Sequence, residues 1–409
     1  MQAQISKCRI CSNTELVPVL ELGVQALTGV FPKTPRDRTT KGPLTLLKCA
    51  GEGFCGLLQL AHSYPLEEMY GANYGYRSGL NSSMLDHLRS KVERIKSYDV
   101  ISKGDIIVDV GSNDGSTLRQ YALGDCTLVG IDPTGTKFRQ FYTTNMHLIP
   151  DFFCGDVFRN DFGSRKAKVI TSFAMFYDME DPIGFMREIH SILDDNGIWV
   201  FEQSYMPSML ATNSYDTICH EHLEYYALSQ ILWMAERVGF EIVDVELNDV
   251  NGGSFSVLAQ KRNGPMPVSS SVGKILDREA ALNLADLSTY LRFKLNVEKS
   301  KEALVGFLHD ARTSGQRVAG LGASTKGNVI LQYCGVSTAE LYAIGEVNAD
   351  KFGAFTPGSN IPIVDEKDVL QATPEHLLVL PWHFRRFFES QPRYQGLNLV
   401  FPLPVLSQV

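Results

Sequence analysis

Residues 105–116 read Asp-Ile-Ile-Val-Asp-Val-Gly-Ser-Asn-Asp-Gly-Ser, an apolar run that ends in a glycine-rich turn and then opens a helix. The next apolar run, residues 127–131, stops on Asp132. A glycine turn between strand and helix lets backbone N–H groups approach a ligand closely. An acid ending the following strand can accept both hydroxyls of a ribose. Together they predict a nucleoside-cofactor pocket on a doubly wound α/β sheet.

The rest of that domain selects the nucleoside. Strand and helix patterns continue to alternate, with a buried strand at 167–173, an amphipathic helix at 182–193 and a strand at 197–202. Two further strands, 239–246 and 254–259, flank Asn251-Gly252-Gly253 and read as a reversed pair. An alternating sheet closed by such a pair is the class I methyltransferase variant of the Rossmann-like fold. The turn has glycines at 111 and 115 rather than the G-x-G-x-x-G spacing that seats a pyrophosphate. Asp109, Gly111, Ser112, Asn113, Gly115, Asp132 and Pro133 are therefore the candidate ligands of S-adenosylmethionine (SAM) rather than NAD. Asp156 is the candidate partner for the adenine amine.

At 409 residues the chain exceeds one ordinary core. A net charge of -8 without a long basic run argues against nucleic acid as a partner. No apolar signal core opens the chain and no run reaches the ~18 residues of a membrane span. The expected setting is cytoplasmic, with no membrane partner; oligomeric state is not legible, a monomer being the default. Eight cysteines in a reducing compartment are not a disulfide framework. Cys8 and Cys11 form a Cys-x-x-Cys pair, and Cys49 and Cys55 a wider one. Four thiolates near turns suit a structural zinc ion, which would stabilise a segment too short for a large core.

Three further stretches carry chemistry. Residues 70–79 place Tyr70, Tyr74, Tyr76 and Arg77 among glycines, suited to an aromatic, hydrogen-bonding lid. Cys219-His220-Glu221-His222 sets two imidazoles around a carboxylate. At i and i+2 they cannot share one helical face, so an acid/base cluster is expected rather than a metal site. Residues 317–328 repeat the strand–glycine turn–helix pattern at Gly322, with Lys326 placed to meet an anion such as a diphosphate. A charged amphipathic helix is expected over 277–312, and further strands at 339–345 and 376–380.

In this order and spacing the chain resembles the sugar C-methyltransferases, which methylate carbon on nucleotide-linked deoxysugars. The marks are Cys8-x-x-Cys11, the segments 55–60 and 74–79, the Gly111 turn, His220-Glu221-His222, Gly252-Gly253 and residues 322–328. The resemblance implies a zinc-binding domain at 1–65 and a helical connection with a Tyr-rich loop at 66–100. It implies a SAM-dependent methyltransferase domain at 101–265, a helical linker at 266–312, and an α/β domain at 313–409 that helps bind a nucleotide sugar. The implied reaction is methylation of a nucleotide-linked, dTDP-type 4-keto-deoxyhexose at C-3 or C-5 through a base-generated enolate. His222 would be the base, with Glu221, His220 and Tyr76 assisting. Tyr76, Arg77, Ser78, Tyr177, Lys326 and Asn328 would line the sugar-nucleotide site. Two positions depart from the family pattern: Cys219 stands where a tyrosine is usual, and Ala174-Met-Phe176-Tyr177 where a histidine is usual. O-methylation of a similar sugar, or binding without catalysis, are the alternatives.

Overall fold

The computed structural model describes residues 4–65, 69, 77–122 and 124–409. Its strands form three sheets. The first is antiparallel, built from β1 (Leu16–Ala26), β2 (Lys41–Cys49) and β3 (Leu58–Leu60), and is completed by β9 (Glu224–Tyr225) from far along the chain. The segment just before β9 is therefore held by the N-terminal sheet.

The second sheet has the order β10-β11-β8-β7-β4-β5-β6. Its strands are β4 (Ile106–Val110), β5 (Thr127–Ile131), β6 (Met146–Ile149), β7 (Ala167–Phe173), β8 (Leu193–Ser204), β10 (Phe240–Asn248) and β11 (Ser254–Lys261). β4 to β8 are parallel, whereas β11 runs antiparallel to both β8 and β10. Every residue of β4 is buried, so the strand reads as a continuous apolar run broken only by Asp109. The chain leaves β4 toward β5 and β6, then returns to place β7 on the other side. That switch opens a crevice at the carboxyl ends of β4 and β7. Over one side lies helix α1 (Ser82–Ser97), started by the Asn81 side chain, which accepts from the Ser83 N–H.

The third sheet has the order β14-β13-β12-β15-β16-β17: β12 (Val318–Leu321), β13 (Ile344–Glu346), β14 (Ile363–Asp365), β15 (His376–Val379), β16 (Leu399–Phe401) and β17 (Ser407–Gln408). It is parallel except for β17. Its first crossover carries α2 (Thr325–Tyr333), N-capped by Ser324, which accepts from the Gly327 N–H.

Two expectations on elements are corrected. The stretch expected as one helix from 277 to 312 is two, Ser270–Ala281 and Leu287–Thr313. Asp286 caps the second by accepting from the Ser288 N–H, and such a cap starts a new helix rather than continuing the old one. The strand expected at 339–345 is only Ile344–Glu346, because Ser337 accepts from Ala339 N and Glu340 binds back to Ser337, which makes a turn of the preceding residues. No helix among the described residues is long and apolar enough to cross a membrane.

Candidate active site and metal centre

The Gly111 turn leaves β4 with Gly111 at φ 75°, Asn113 at φ 50° and Gly115 at φ 72°. A Cβ at Gly111 would lie 3.1 Å from Met175 Cγ, so the turn needs glycine both for its conformation and for its close packing. Asp132, at the end of β5, accepts from Asn113 N (2.8 Å) through one oxygen and from Thr134 N (2.6 Å) through the other. Ser112 Oγ lies 2.8 Å from the Tyr142 hydroxyl. Asp109 accepts from Thr171 Oγ1 at 2.5 Å, and burial raises its pKa to about 7.

These residues face a cavity of about 330 Å³. Asp109, Gly111, Ser112, Asn113, Asp132 and Pro133 line it, with Phe152 and Phe153 forming part of an apolar wall. Glycine turn, strand-end acid and apolar wall fit a nucleoside carrying a methionyl tail. Gly115 sits behind the turn as the N-cap of the following helix. Asp156 does not reach the cavity: its carboxylate is 83% exposed and paired with Arg159 at 2.8 Å. Its place one residue into a helix turns it to solvent, while the preceding phenylalanines point inward.

The 77–79 segment packs directly on this turn. Arg77 Nε donates to Asp114 (3.1 Å), its guanidinium lies over the Phe141 ring, and Ser78 N donates to Asn113 Oδ1 (3.0 Å). Ser78 lines the cofactor cavity. Arg77 therefore braces the glycine turn. Tyr70, Tyr74 and Tyr76, from the same expected lid, lie outside the described residues.

Residues 219–222 form a turn rather than a helix, and their side chains diverge. His220 Nε2 donates to Gly42 O (3.3 Å) against Tyr64, facing the N-terminal sheet. Glu221 accepts from Thr28 Oγ1 (3.3 Å) and packs on Gly29; burial raises its pKa. His222 turns the other way. Its Nδ1 donates to Thr217 O (2.9 Å), which fixes the neutral tautomer with a free lone pair on Nε2. The ring centroid lies 4.3 Å from that of Tyr177, which itself lines the cavity. Burial first, and then the nearby Lys326 charge, lower the His222 pKa to about 4. Of the three residues expected to act together, the structure brings only His222 beside the cavity wall.

Lys326 reaches across from α2 and donates to the carbonyl of Asn251, another cavity residue. Asn328 is committed to the frame: its amide donates to Thr28 O (2.7 Å), beside a two-way pairing of Gln332 with Ala26. Phe176 is core, stacked on Tyr226 and packed against Trp199 and Phe201, so the departure from histidine there leaves no polar group.

Several site residues escaped sequence reading. Glu202 and His87 line the cavity and bond at 2.5 Å, with Lys91 (2.9 Å) and Asn248 (2.8 Å) also on Glu202. Burial works to raise the Glu202 pKa, but the His87 bond and the Lys91 charge outweigh it and hold the acid below its usual range. Asp216 accepts from Trp382 Nε1 (2.8 Å), joining the second and third sheets. Nothing in the local sequence announces a pair so distant along the chain.

The four cysteines converge. Their sulfurs lie within 4.8 Å of one another, with contacts of 3.5 Å (Cys8–Cys55), 3.5 Å (Cys11–Cys49) and 3.3 Å (Cys55–Cys11). A tetrahedral zinc with Zn–S about 2.3 Å has sulfur–sulfur edges of about 3.8 Å, which this cluster fits. Asn13 Nδ2 donates to Cys49 Sγ (3.3 Å), and Lys48 binds the neighbouring carbonyls, placing positive charge beside the thiolates. The wide spacing of the second pair is a loop with Gly51 and Gly53 at positive φ, bringing Cys55 back to Cys49.

Three family models match in succession. They are a zinc binding domain over residues 8–70, a methyltransferase domain over 81–245 and a C-methyltransferase C-terminal domain over 249–404. The chain is a SAM-dependent methyltransferase whose three segments follow, in order, the zinc binding, methyltransferase and C-methyltransferase C-terminal models. It is 26% identical to C-methyltransferase NovU of Streptomyces niveus over 407 residues, 98% of this chain and 96% of that one. Among solved structures it is similar to an O-methyltransferase family protein of Burkholderia thailandensis. That match has 14% identity and TM-score 0.35 and covers 45% of this chain and 58% of the other. It is also similar to the CcbJ methyltransferase of Streptomyces caelestis, with 11% identity, TM-score 0.34 and coverage of 43% and 90%. The enzyme takes SAM and structural zinc as cofactors, and Cys8, Cys11, Cys49 and Cys55 are the cluster among the described residues that could hold the metal.

Proposed function

We propose that the enzyme methylates a ring carbon of a nucleotide-linked 4-keto-deoxyhexose, of the dTDP class, at C-3 or C-5. The observation that carries this reading is His222. It is a partly exposed imidazole whose Nδ1 donates to Thr217 O, whose Nε2 has no hydrogen-bond partner among the described residues, and whose ring lies against the Tyr177 wall of the cofactor cavity. A neutral imidazole fixed in one tautomer is a competent base for a C–H acidified by a neighbouring carbonyl. SAM supplies the electrophilic methyl group. The chain's own part is to remove the proton, orient the sugar and hold its oxygen while charge builds there.

In this reading His222 takes the ring proton on Nε2. Glu221, packed on Gly29, positions the turn that carries it. Tyr177 and Ser78 border the place where cofactor and sugar meet, with Arg77 holding the Gly111 turn. The nucleotide extends toward the third sheet. The wider polar frame, including Asn328 and His220, keeps the three sheets in register. Asp156 on the adenine amine would require its Arg159 pair to open. The unpaired thiols of the metal site suit a cytoplasmic setting.

Similarity to NovU over nearly the whole chain supports carbon as the acceptor. The test is incubation with methyl-labelled SAM and a panel of nucleotide-linked 4-keto-deoxyhexoses, followed by NMR of the product. A carbon-bound methyl on the ring is expected; an oxygen-bound methyl, or transfer only to sugars lacking the keto group, would reject the reading.

A further inference from the structure

Lys326 is placed for more than charge at a helix start. Its ammonium leaves α2, crosses to the second sheet and donates to the carbonyl of Asn251, a residue that lines the cofactor cavity. A Cβ at Gly252 would lie 3.9 Å from Lys326 Nζ and 3.9 Å from His383 Cβ, so loop, lysine and histidine meet with little between them. Lys326 acts on the charge of both His222 and Asp216. It keeps partial exposure, as do His222 and His383, so a ligand entering between the second and third sheets can reach it.

The donor count is the second observation. An ammonium has three N–H donors. Among the described residues one acceptor, Asn251 O, engages them. Asp216 is the nearby acid, but its Oδ2 accepts from Trp382, and among the described residues its Oδ1 has no hydrogen-bond partner and no ion pair links it to Lys326. An ammonium with one of its three donors engaged, and that one on a residue of the cavity wall, is a donor set available to an oxygen still to come.

We propose that Lys326 is a catalytic residue that donates to the carbonyl oxygen of the sugar as it becomes an enolate oxygen. The proposal rests on the enolate reading above. His222 Nε2 takes the proton, the C–H electron pair becomes the C=C bond, and the carbonyl π pair moves onto the oxygen that Lys326 holds. The carbonyl re-forms as that carbon bonds the methyl, and the S–CH₃ pair departs with sulfur. The base and the oxyanion donor thus come from different sheets, and Asn251 and Gly252 align them.

The experiment compares wild type, Lys326→Met and Lys326→Gln as full-length zinc-loaded protein. Two quantities are read: exchange of sugar ring hydrogens in D₂O with S-adenosylhomocysteine present, and the Kd of dTDP. Losing a donor to a developing oxyanion costs roughly 10²–10³ in rate. Both variants are expected to lose about that factor in exchange while the dTDP Kd moves less than about threefold. Lys326→Gln can still donate to Asn251, so it carries the test if Lys326→Met fails to fold. Exchange within about threefold of wild type in the folded variant overturns the proposal. So does a dTDP Kd that rises in step with the loss of rate, which would make Lys326 a diphosphate anchor. Absence of exchange in wild type itself would instead reject the enolate reading.

Discussion

The turn at Gly111 and the turn at Gly322 are built on one plan. In each, a glycine at positive φ (75° and 79°) leaves a parallel strand, and an acid ending the next strand accepts a backbone N–H from the turn. Asp132 accepts from Asn113 N at 2.8 Å, and Glu346 from Ala323 N at 2.9 Å. What covers them differs. The first opens on the 330 Å³ cavity. At the second, a Cβ on Gly322 would meet Pro381 at 2.7 Å, Lys351 donates to Ala323 O (2.7 Å), and Phe31 lies against Lys351. Glu346 spends one oxygen on Val347 N and Asn348 N as well. The backbone plan alone does not decide the ligand; neighbouring side chains do. One turn keeps room for a nucleoside, and the other has become a brace that delivers Lys326 to the site.

Removing zinc should break this comparison most. Metal binding at thiolate sites is worth roughly 10–16 kcal/mol in small zinc-binding peptides, so the metal-free N-terminal sheet should not persist. Residues 26–28 bind Gln332 and Asn328 beside the second turn, whereas no residue of 4–65 lines the first turn's cavity. Chelation is therefore expected to abolish methyl transfer while SAM binding, followed by calorimetry, survives. Loss of both together would mean the two turns share one frame.

Substituting the two acids sharpens the contrast. A hydrogen bond to a charged group is worth about 1.5–3 kcal/mol. Asp132→Ala should raise the SAM Kd by about 10- to 100-fold, the equivalent of that loss. Glu346→Ala should leave the SAM Kd unchanged but lower stability to urea by about 1–3 kcal/mol, because it strands buried N–H groups. Equal effects on SAM would refute the division of labour.

The smallest expected effect is in pH. As the proposed base, His222 would act only when unprotonated, and burial and the Lys326 charge lower its pKa to about 4. An ordinary imidazole at about 6.5 would cost about tenfold in rate by pH 5.5. Here kcat/KM should stay nearly level from pH 7.5 to 5.5, falling only below that. A tenfold fall by pH 5.5 would mean that His222 is not shielded, or is not the base.

How much of this was legible beforehand follows the range of the interactions. The Gly111 turn, Asp132 and the reversed pair β10–β11 are local patterns, and the sequence carries them openly. The cysteines are read by chemistry, despite the irregular second spacing. What stayed hidden is tertiary. The His87–Glu202 contact, the Asp216–Trp382 link and the lysine crossing from α2 to Asn251 join residues whose sequence neighbourhoods predict nothing about each other. The 219–222 stretch sits between the two cases. Its chemistry was readable, but the divergence of its side chains was not, because β9 pairing with β3 sets the backbone direction from outside the motif. Asp156 is a related case: the expectation came from where such folds often place an acid near the adenine amine, and its place in the first turn of a helix turns it to solvent.

In the proposed reaction His222 makes an enolate for methyl transfer to carbon. Its most direct test is NMR of a dTDP-linked 4-keto-6-deoxyhexose held in D₂O with wild-type enzyme and S-adenosylhomocysteine, and again with His222→Ala. Wild type should exchange the hydrogen on the carbon beside the carbonyl, and His222→Ala, still binding SAM, should lose that exchange by about 10²–10⁴-fold. Undiminished exchange in the variant, or methyl transfer by wild type without any exchange-competent carbon, would contradict the account.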